Sequence, residues 1–350
     1  MIGVAASVAA AALALAGCST QPSGPTAAPT SSGGTEGGYD PALVSAAQAE
    51  GALTIYSAAS DAVNTAILDA FGKQFGIQAQ AVHLATNDLL TRFLTEAEAG
   101  APGADDVIFP QPQFFSDNQA LFVPLTPEEF PNLAEWPADG IDNNTSVIVT
   151  TMPYGVLYNT TLVPKEDVPK TWTDLSNATK YKNQVAFIDP GADSAYLGLS
   201  NELQKVNGID ILKRLAALNP TYGSNSTPEV QAVAAGTAAM GMPLFASQAA
   251  GVKSQGAPVD FQILTGPTLG LDSELALVKN APHPNAAKLF FEWLASSDGI
   301  GAICNAAPYA SPLDPEGDLG CLVLPGDLKI IDQNVSESQR QMLLQAWGRS

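Results

Sequence analysis

Basic residues are scarce in this chain. Its 350 residues include 15 Lys and Arg against 35 Asp and Glu, which gives a formal net charge of −20. Nucleic-acid binding needs clustered Lys and Arg that neutralise phosphates, so this composition argues against a nucleic-acid partner. The acidic surface of a soluble exported protein accounts for the charge balance.

Histidine and cysteine are scarce as well. The histidines are His83 and His283, and the cysteines are Cys18, Cys304 and Cys321. No G-x-S-x-G elbow, H-E-x-x-H pair, P-loop or cysteine beside a histidine occurs, so we expect neither enzyme activity nor a cofactor. Outside the cytoplasm, Cys304 and Cys321 most simply form a disulfide across a loop rich in Pro, Gly and Asp, which stabilises by about 3 kcal/mol.

The N-terminus has the pattern of a bacterial lipoprotein signal. An uncharged run of Ala, Val and Leu begins at Ile2 and closes with the sequence LAGC at 15–18. Residues 1–17 are too short to span a bilayer as a helix, so we expect a signal peptide, cleavage before Cys18 and lipidation of its thiol. The alternative is an Ala-rich helix with a chance cysteine. No Lys or Arg precedes the run, which leaves open a start codon further upstream.

The following segment, 18–39, has the composition of a flexible tether. It consists almost entirely of Ser, Thr, Pro, Gly and Ala, with Glu36 as its only charge before Asp40. Such a segment buries too little apolar surface to offset the entropy lost on ordering. The remaining residues, about 310 in number, are enough for two α/β lobes.

Strand and helix patterns alternate along the folded part. Its first stretch predicts strands at 53–56, 78–84 and 106–109 and helices at 61–75 and 87–99. Later strands are predicted at 147–151, 154–158, 184–188, 238–242 and 273–278, with helices at 172–175, 194–206, 211–218, 228–235, 245–256 and 284–296. We expect lobe 1 in 40–150, lobe 2 in 151–268, and a return to lobe 1 with C-terminal helices in 269–350. Two crossings between lobes imply a hinge, with ligand-binding loops at the carboxyl ends of the strands.

Short motifs in a fixed order resemble the ferric-type bacterial extracellular solute-binding proteins of ABC importers. They are EGALTIYS at 50–57, FGKQFGI at 71–77, ADDV at 104–107, PKTWTDL at 169–175, YKNQVA at 181–186, DP at 189–190, NS at 225–226 with VQAV at 230–233, and HPNAAKLFF at 283–291. The resemblance implies an α/β, two-lobed type II periplasmic-binding fold with a ligand cleft between the lobes. It also implies a lipid-anchored, extracytoplasmic monomer that delivers one small molecule to an ABC permease with its ATPase.

The resemblance breaks down at the iron ligands of the family. Iron-binding members use a His, a Glu and a Tyr pair, whereas the matching positions here are Ser60, Gln111 and Leu244 with Phe245. Ferric iron needs anionic oxygen ligands, so we expect no metal site. A ferric-iron-binding importer component stays an alternative, as does a surface receptor or adhesin on the same fold.

Relatives that bind phosphate esters or phosphonates use a Ser-Gly-Thr stretch at a helix start, where backbone N–H groups and the helix dipole hold an anion. The matching residues here are Ala192, Asp193 and Ser194. Asp193 either caps the helix or faces the cleft, where it would suit an amine. The expected ligand is therefore a small polar solute, either an organic anion or an amine-bearing phosphonate or phosphate ester.

Further candidate ligand-binding residues lie in the predicted loops and at helix starts. They are Ser57, Ala58, Ser60, Thr86, Asn87, Gln111, Tyr196, Asn225, Ser226 and Phe245, with Tyr56, Tyr154, Tyr158 and Tyr309 as possible stacking partners. Ordinary helix caps and turns are the alternative for the polar members of this set, and core packing for Tyr56 and Tyr158.

We predict that Cys18→Ala releases the protein from the membrane fraction, because the substitution removes the thiol that would carry the lipid. Fractionation followed by immunoblotting measures the distribution. Ser19→Ala is the matched control and should leave the protein membrane-bound. Unchanged membrane association of the Cys18→Ala variant would contradict a lipid anchor at this position.

Overall fold

The structure, a computed structural model, describes residues 38–84, 86–326 and 328–349. The predicted signal peptide, Cys18 and the tether as far as residue 37 lie outside this range. The helices are α1 (Pro41–Glu50), α2 (Asp61–Phe75), α3 (Thr86–Glu98), α4 (Pro112–Asp117), α5 (Trp172–Ser176), α6 (Ser194–Asn207), α7 (Asp210–Ala217), α8 (Ser226–Ala234), α9 (Ala246–Ser254), α10 (Pro284–Leu294), α11 (Ser297–Ala306) and α12 (Glu337–Ala346). Among the described residues, no helix combines the length and apolar character needed to cross a bilayer.

Two separate sheets organise these helices. The strands are β1 (Ala52–Ser57), β2 (Gln78–His83), β3 (Asp106–Phe109), β4 (Ile141–Asp142), β5 (Ser146–Pro153), β6 (Gly155–Asn159), β7 (Val185–Ile188), β8 (Thr221–Gly223), β9 (Met240–Leu244), β10 (Val259–Ile263), β11 (Thr268–Leu277) and β12 (Leu328–Ile330). The first sheet has the order β2-β1-β3-β11-β5-β4, with β12 paired to β11, and the second has the order β10-β6-β9-β7-β8. This mixed α/β architecture confirms the predicted fold class.

The first sheet begins with the predicted βαβαβ unit. β1 pairs in parallel with both β2 and β3, and α2 connects β1 to β2 within the predicted bounds. Ser60 caps α2 by accepting a hydrogen bond from the N–H of Val63, and Gly76 ends the helix in the left-handed conformation with φ at 73°. Ile67 and Phe71 on its apolar face are fully buried. Capping and apolar spacing thus explain why this part was predictable.

β11 differs most from the sequence prediction. The expected strand covers 273–278, whereas the observed strand runs from Thr268 to Leu277, and all ten residues are buried. The missed part, 268–272, follows Gly266 and Pro267 and contains Gly270, residues that are typical of turns rather than of a buried strand. β11 pairs antiparallel with β3 on one side and with β5 on the other, which places it in the middle of the first sheet.

The chain passes between the sheets three times rather than the expected two. It leaves the first sheet between β5 and β6 and returns between β10 and β11. After β12, α12 packs against α6 and α7, and its Leu343 and Leu344 join the apolar core of the second sheet. The sequence did not predict this third crossing.

A buried carboxylate and a disulfide each connect segments that are distant in sequence and that lie in or next to the first sheet. Asp105, fully buried, accepts hydrogen bonds from the backbone N–H groups of Thr54 and His283, both at 2.7 Å, and lies 2.9 Å from Nδ1 of His283. Both the backbone and the ring of His283 are therefore bonded to this carboxylate. Cys304 of α11 and Cys321 form the predicted disulfide.

Two further carboxyl groups on β11 are buried. Burial raises the pKa of Glu274 to about 8 and that of Asp272 to about 6. Hydrogen bonds of 2.5 Å from Ser146 to Glu274 and from Thr151 to Asp272 lower these pKa values without cancelling the effect of burial. Because the folded state retains protons that the unfolded chain releases, we expect stability to fall as the pH rises through this range.

We predict that Glu274→Gln stabilises the protein at pH 9 and changes little at pH 4. The amide keeps an oxygen for Ser146 but has no proton to lose, and each unit of raised pKa corresponds to about 1.4 kcal/mol. Urea unfolding between pH 4 and pH 9 measures the effect, and Glu135→Gln, which removes an exposed carboxyl, is the control. Wild-type stability that does not fall between pH 5 and pH 9 would contradict the buried proton.

Candidate functional site

Most predicted ligand-binding residues lie at the carboxyl ends of strands or at the helix starts that follow. Ser57 ends β1 and is fully buried, and its hydroxyl accepts a hydrogen bond from the N–H of Ala59 at 3.1 Å. Gln111 follows β3 and precedes α4, and Phe245 follows β9 and precedes α9. These positions agree with the rule that open α/β sheets bind ligands at this edge.

Two predicted residues of the second sheet act as helix caps. The side chain of Asp193 accepts a hydrogen bond from the N–H of Ala195 at 2.8 Å, and Asn225 accepts one from Thr227 at 3.0 Å. The capping interpretation of Asp193 is therefore correct as far as its hydrogen bond is concerned. One carboxylate oxygen is used by the cap, so contact of the other with a ligand stays a prediction.

A cavity of about 360 Å³ brings candidate residues from both sheets together. Gln111 and Gln113, near the start of α4, line one side, and Ser194, at the start of α6, lines another. Residues 330–334, which lead from β12 towards α12, complete the wall. The volume suits a small organic molecule, and amide and hydroxyl groups line the cavity. The carboxylates of Asp117 and Asp332 line it as well, and each accepts a hydrogen bond from the protein.

Gln333 connects the two sides of this cavity. Its Nε2 donates a hydrogen bond to the carbonyl oxygen of Pro110 at 3.0 Å, and its Oε1 accepts one from the hydroxyl of Ser194 at 3.2 Å. The segment fits closely against α6, since a Cβ on Gly198 would lie 2.5 Å from the carbonyl oxygen of Asp332. The glutamine side chain therefore bridges a loop of the first sheet to a helix of the second.

Tyr309 makes a second connection. Its side chain forms hydrogen bonds with Ser60 at the start of α2 and with Ser247 in α9, which lower its pKa, although burial is the larger effect and raises it. A cavity of only about 50 Å³ lies beside it and is lined in part by Ala58 and Thr150. This cavity is too small for an organic solute. Ala58 therefore lies near the site, but the space beside it has no room for a ligand.

An aromatic group lies in the second sheet near the start of α6. The ring of Tyr154 stacks on Phe245 with 4.8 Å between centroids, and among the described residues its buried hydroxyl has no hydrogen-bond partner. Burial, followed by the charges of Tyr196 and Asp193, raises the pKa of Tyr154 well above its ordinary value. Burial also raises the pKa of Tyr196. Both hydroxyls therefore keep their protons, and that of Tyr154 is a free donor.

Some candidate residues are not brought together with these. Thr86 and Asn87 form the start of α3, and neither lines a cavity described above. Ser226 begins α8 and is half-buried. Gln333 and Ser247 were missed by sequence reasoning, because no motif marks an isolated glutamine or serine whose partners lie far away along the chain. Tyr154 and Tyr309 were identified only as aromatic residues that could stack.

The positions that match the family's iron ligands carry no charged oxygen. Ser60 caps α2, Gln111 precedes α4, Leu244 is buried in β9, and Phe245 stacks on Tyr154. Within 38–84, 86–326 and 328–349, no group of three or more His, Cys, Asp or Glu side chains is placed to hold a metal ion.

Comparison with known proteins identifies relatives of the whole folded part. A family model described as bacterial extracellular solute-binding protein matches residues 66–315. A substrate-binding protein of an ABC transporter from Agrobacterium tumefaciens is similar in structure, with a TM-score of 0.71 at 18% identity, covering 85% of this chain and 94% of that protein.

Two other solved structures are named with their ligands. Iron-bound HitA from Pseudomonas aeruginosa has a TM-score of 0.64 at 21% identity, covering 85% of this chain and 98% of its own. AfuA from Actinobacillus pleuropneumoniae, with fructose-6-phosphate bound, has a TM-score of 0.63 at 20% identity, covering 84% of this chain and 97% of its own. At these identities the similarity concerns the fold.

We predict that Gln333→Ala lowers the free energy of unfolding by about 1–2 kcal/mol, the sum expected for two hydrogen bonds. It should also increase the radius of gyration measured by small-angle X-ray scattering, because the bridge between the sheets is lost. Gln345→Ala is the control, since Gln345 is exposed on α12 and, among the described residues, makes no side-chain hydrogen bond. Identical stability and dimensions in both variants would show that the bridge contributes nothing.

Proposed function

The chain belongs to the family of bacterial extracellular solute-binding proteins, and from this membership we propose that it captures one small polar solute between its two sheets for an ABC permease. The observation that carries the proposal is the cavity shared by Gln111 and Ser194. Its walls come from loops at the carboxyl ends of strands in both sheets, so a solute bound there would contact both. Closure of two such halves around a ligand is a known form of domain motion.

We infer that the solute carries an anionic group, as an organic anion or as an amine-bearing phosphonate or phosphate ester. The start of α6, where Ser194 lines this cavity, favours negative charge, as helix N-termini do. The side-chain amide of Gln111 adds a donor. The sugar phosphate bound to AfuA is a ligand of this class on the same fold.

An amine on the same solute is supported by the aromatic group and Asp193. Asp193 caps α6, the helix that also carries Tyr196, and its charge contributes to the raised pKa values of Tyr154 and Tyr196. An ammonium group beside these rings would be attracted both by the carboxylate and by the aromatic faces. A phosphate without an amine would instead be repelled by Asp193.

Ferric iron is a weaker candidate, although HitA binds it on this fold. Hard trivalent iron prefers carboxylate and phenolate oxygens, and the matching positions here offer a hydroxyl, an amide and two apolar side chains. A receptor or adhesin would have no need of a cavity for a small molecule, so the cavity favours transport over that alternative.

The cellular setting that we propose follows from the N-terminal pattern. The protein would be anchored to the cell membrane through lipid on Cys18, outside the cytoplasm, and would act as a monomer. Residues 18–39 would form the tether, 40–150 and 269–350 would contribute lobe 1, and 151–268 would form lobe 2. α12 is the exception within this division, because it packs on helices of the second sheet.

We predict that a thermal-shift screen of phosphonates, sugar phosphates, carboxylates, polyamines and ferric citrate yields a hit among the amine-bearing anions. A ligand at about 1,000 times its Kd stabilises by about 4 kcal/mol, which corresponds to a rise in Tm of several degrees. Asp193→Asn keeps an oxygen for the helix cap and removes the charge, so it should weaken amine-bearing ligands specifically.

Two further variants sharpen the screen. Tyr154→Phe removes only the unpartnered hydroxyl, whereas Tyr158→Phe removes a hydroxyl on β6 as the control. Tyr154→Phe should weaken the hit and Tyr158→Phe should not. If only ferric citrate shifts the Tm, the proposed solute class is wrong, and if no small molecule does, the receptor alternative gains support.

A further inference from the structure

A second and larger cavity, of about 660 Å³, lies between α12 and the second sheet. Its floor is formed by Asp189, Gly191 and Ala192 after β7 and by residues 222–224 at the end of β8, and α12 with the two residues Gly348 and Arg349 closes one side. None of the residues that line it belongs to the first sheet, in contrast to the cavity at Gln111 and Ser194. The two cavities therefore have different walls, and no contact with the first sheet is needed to form this one.

The cavity is positively charged in a strongly acidic protein. The chain has four arginines, and two of them, Arg340 and Arg349, line this cavity. Arg349 is held in place by an ion pair with Asp189 and by the ring of Tyr222, 4.6 Å from its guanidinium carbon. That ion pair neutralises the carboxylate that lines the cavity.

Arg340 carries a positive charge that no neighbouring carboxylate neutralises among the described residues. Among the described residues its guanidinium has no ion pair or hydrogen bond, and it lies beside the loop after β7, where a Cβ on Gly191 would be 3.7 Å from Nη2. Burial raises the pKa of the nearby Glu229 carboxyl, and its Oε2 has no hydrogen-bond partner among the described residues, so this carboxyl forms no ion pair with Arg340. A free guanidinium fork inside a cavity matches the geometry of an oxyanion.

One helix start adds to this potential. α8 begins just after Asn225, and the adjacent Ser224 lines the cavity. The N-terminal end of this helix carries partial positive charge. Ser224 is exposed and offers a hydroxyl as a further donor. Cationic side chains, a helix end and a hydroxyl thus converge on a space large enough for an organic molecule.

We propose that this cavity is a separate binding site for a small molecule carrying a phosphate or carboxylate group, with Arg340 as its principal ligand-binding residue. Arg349, already oriented by Asp189 and Tyr222, supplies its remaining N–H groups. Since the lining residues come from both α12 and the second sheet, a bound oxyanion also stabilises the packing of α12 against that sheet.

Inorganic phosphate is the probe, titrated against sodium chloride of equal ionic strength by calorimetry and thermal unfolding. Wild-type protein should bind phosphate and gain Tm. Arg340→Gln should weaken binding by about tenfold or more, the loss expected for a charge-assisted hydrogen bond, and Arg340→Lys should lose less. Lys213→Gln removes the same charge from the exposed face of α7 and should leave phosphate binding unchanged.

Two outcomes would overturn the assignment. One is a wild-type protein that does not respond to phosphate, or an Arg340→Gln variant that responds as the wild type does. The other is loss of phosphate binding in Tyr154→Phe with retention in Arg340→Gln, which would place the anion in the cavity between the sheets. Failure of this site leaves the solute screen untouched, because that screen is read through Asp193 and Tyr154.

Discussion

The pairing of β5 with β11 is the contact on which the two-sheet arrangement depends. β5 carries the chain out of the first sheet and β11 brings it back, and the two strands pair from Val147 and Leu275 as far as Pro153 and Gly270. The side chains of Thr151 and Asp272 add a hydrogen bond next to the crossing. Because both connections are neighbours in one ladder, two of the three crossings between the sheets lie side by side, and the segment between β12 and α12 supplies the third.

Local patterns predicted the helices and parallel strands well, and long-range packing explains the failures. α2 and β3 occur within their predicted bounds because apolar spacing and caps are properties of neighbouring residues. β11 was half missed because Gly266, Pro267 and Gly270 are typical of a turn, whereas pairing with distant strands, which no local pattern reports, buries this part. α12 was not placed because its partners, α6 and α7, lie more than a hundred residues earlier.

The residues of the candidate site also fall into two groups, those that local motifs predicted and those that depend on long-range packing. Sequence motifs located Ser60, Asp193 and Asn225 correctly at helix starts, but they could not distinguish a cap from a ligand, since one side-chain oxygen serves for both. The side chains that join the two sheets, Gln333 and Tyr309, come from the C-terminal part of the chain, beyond the motif-rich region or at its edge. Arg340 escaped notice for the same reason, because it too lies in the C-terminal part of the chain, beyond the motifs.

The central position of β11 determines the order in which the chain can fold. β3 and β5 are not neighbours without it, so until residue 277 has been made the first sheet consists of two unconnected parts, β2-β1-β3 and β5-β4. Pairing between segments this far apart is slow, and the early segments have no complete core of their own during synthesis. For a protein of an extracellular family, a first sheet that closes only late in the chain is compatible with export before folding is complete.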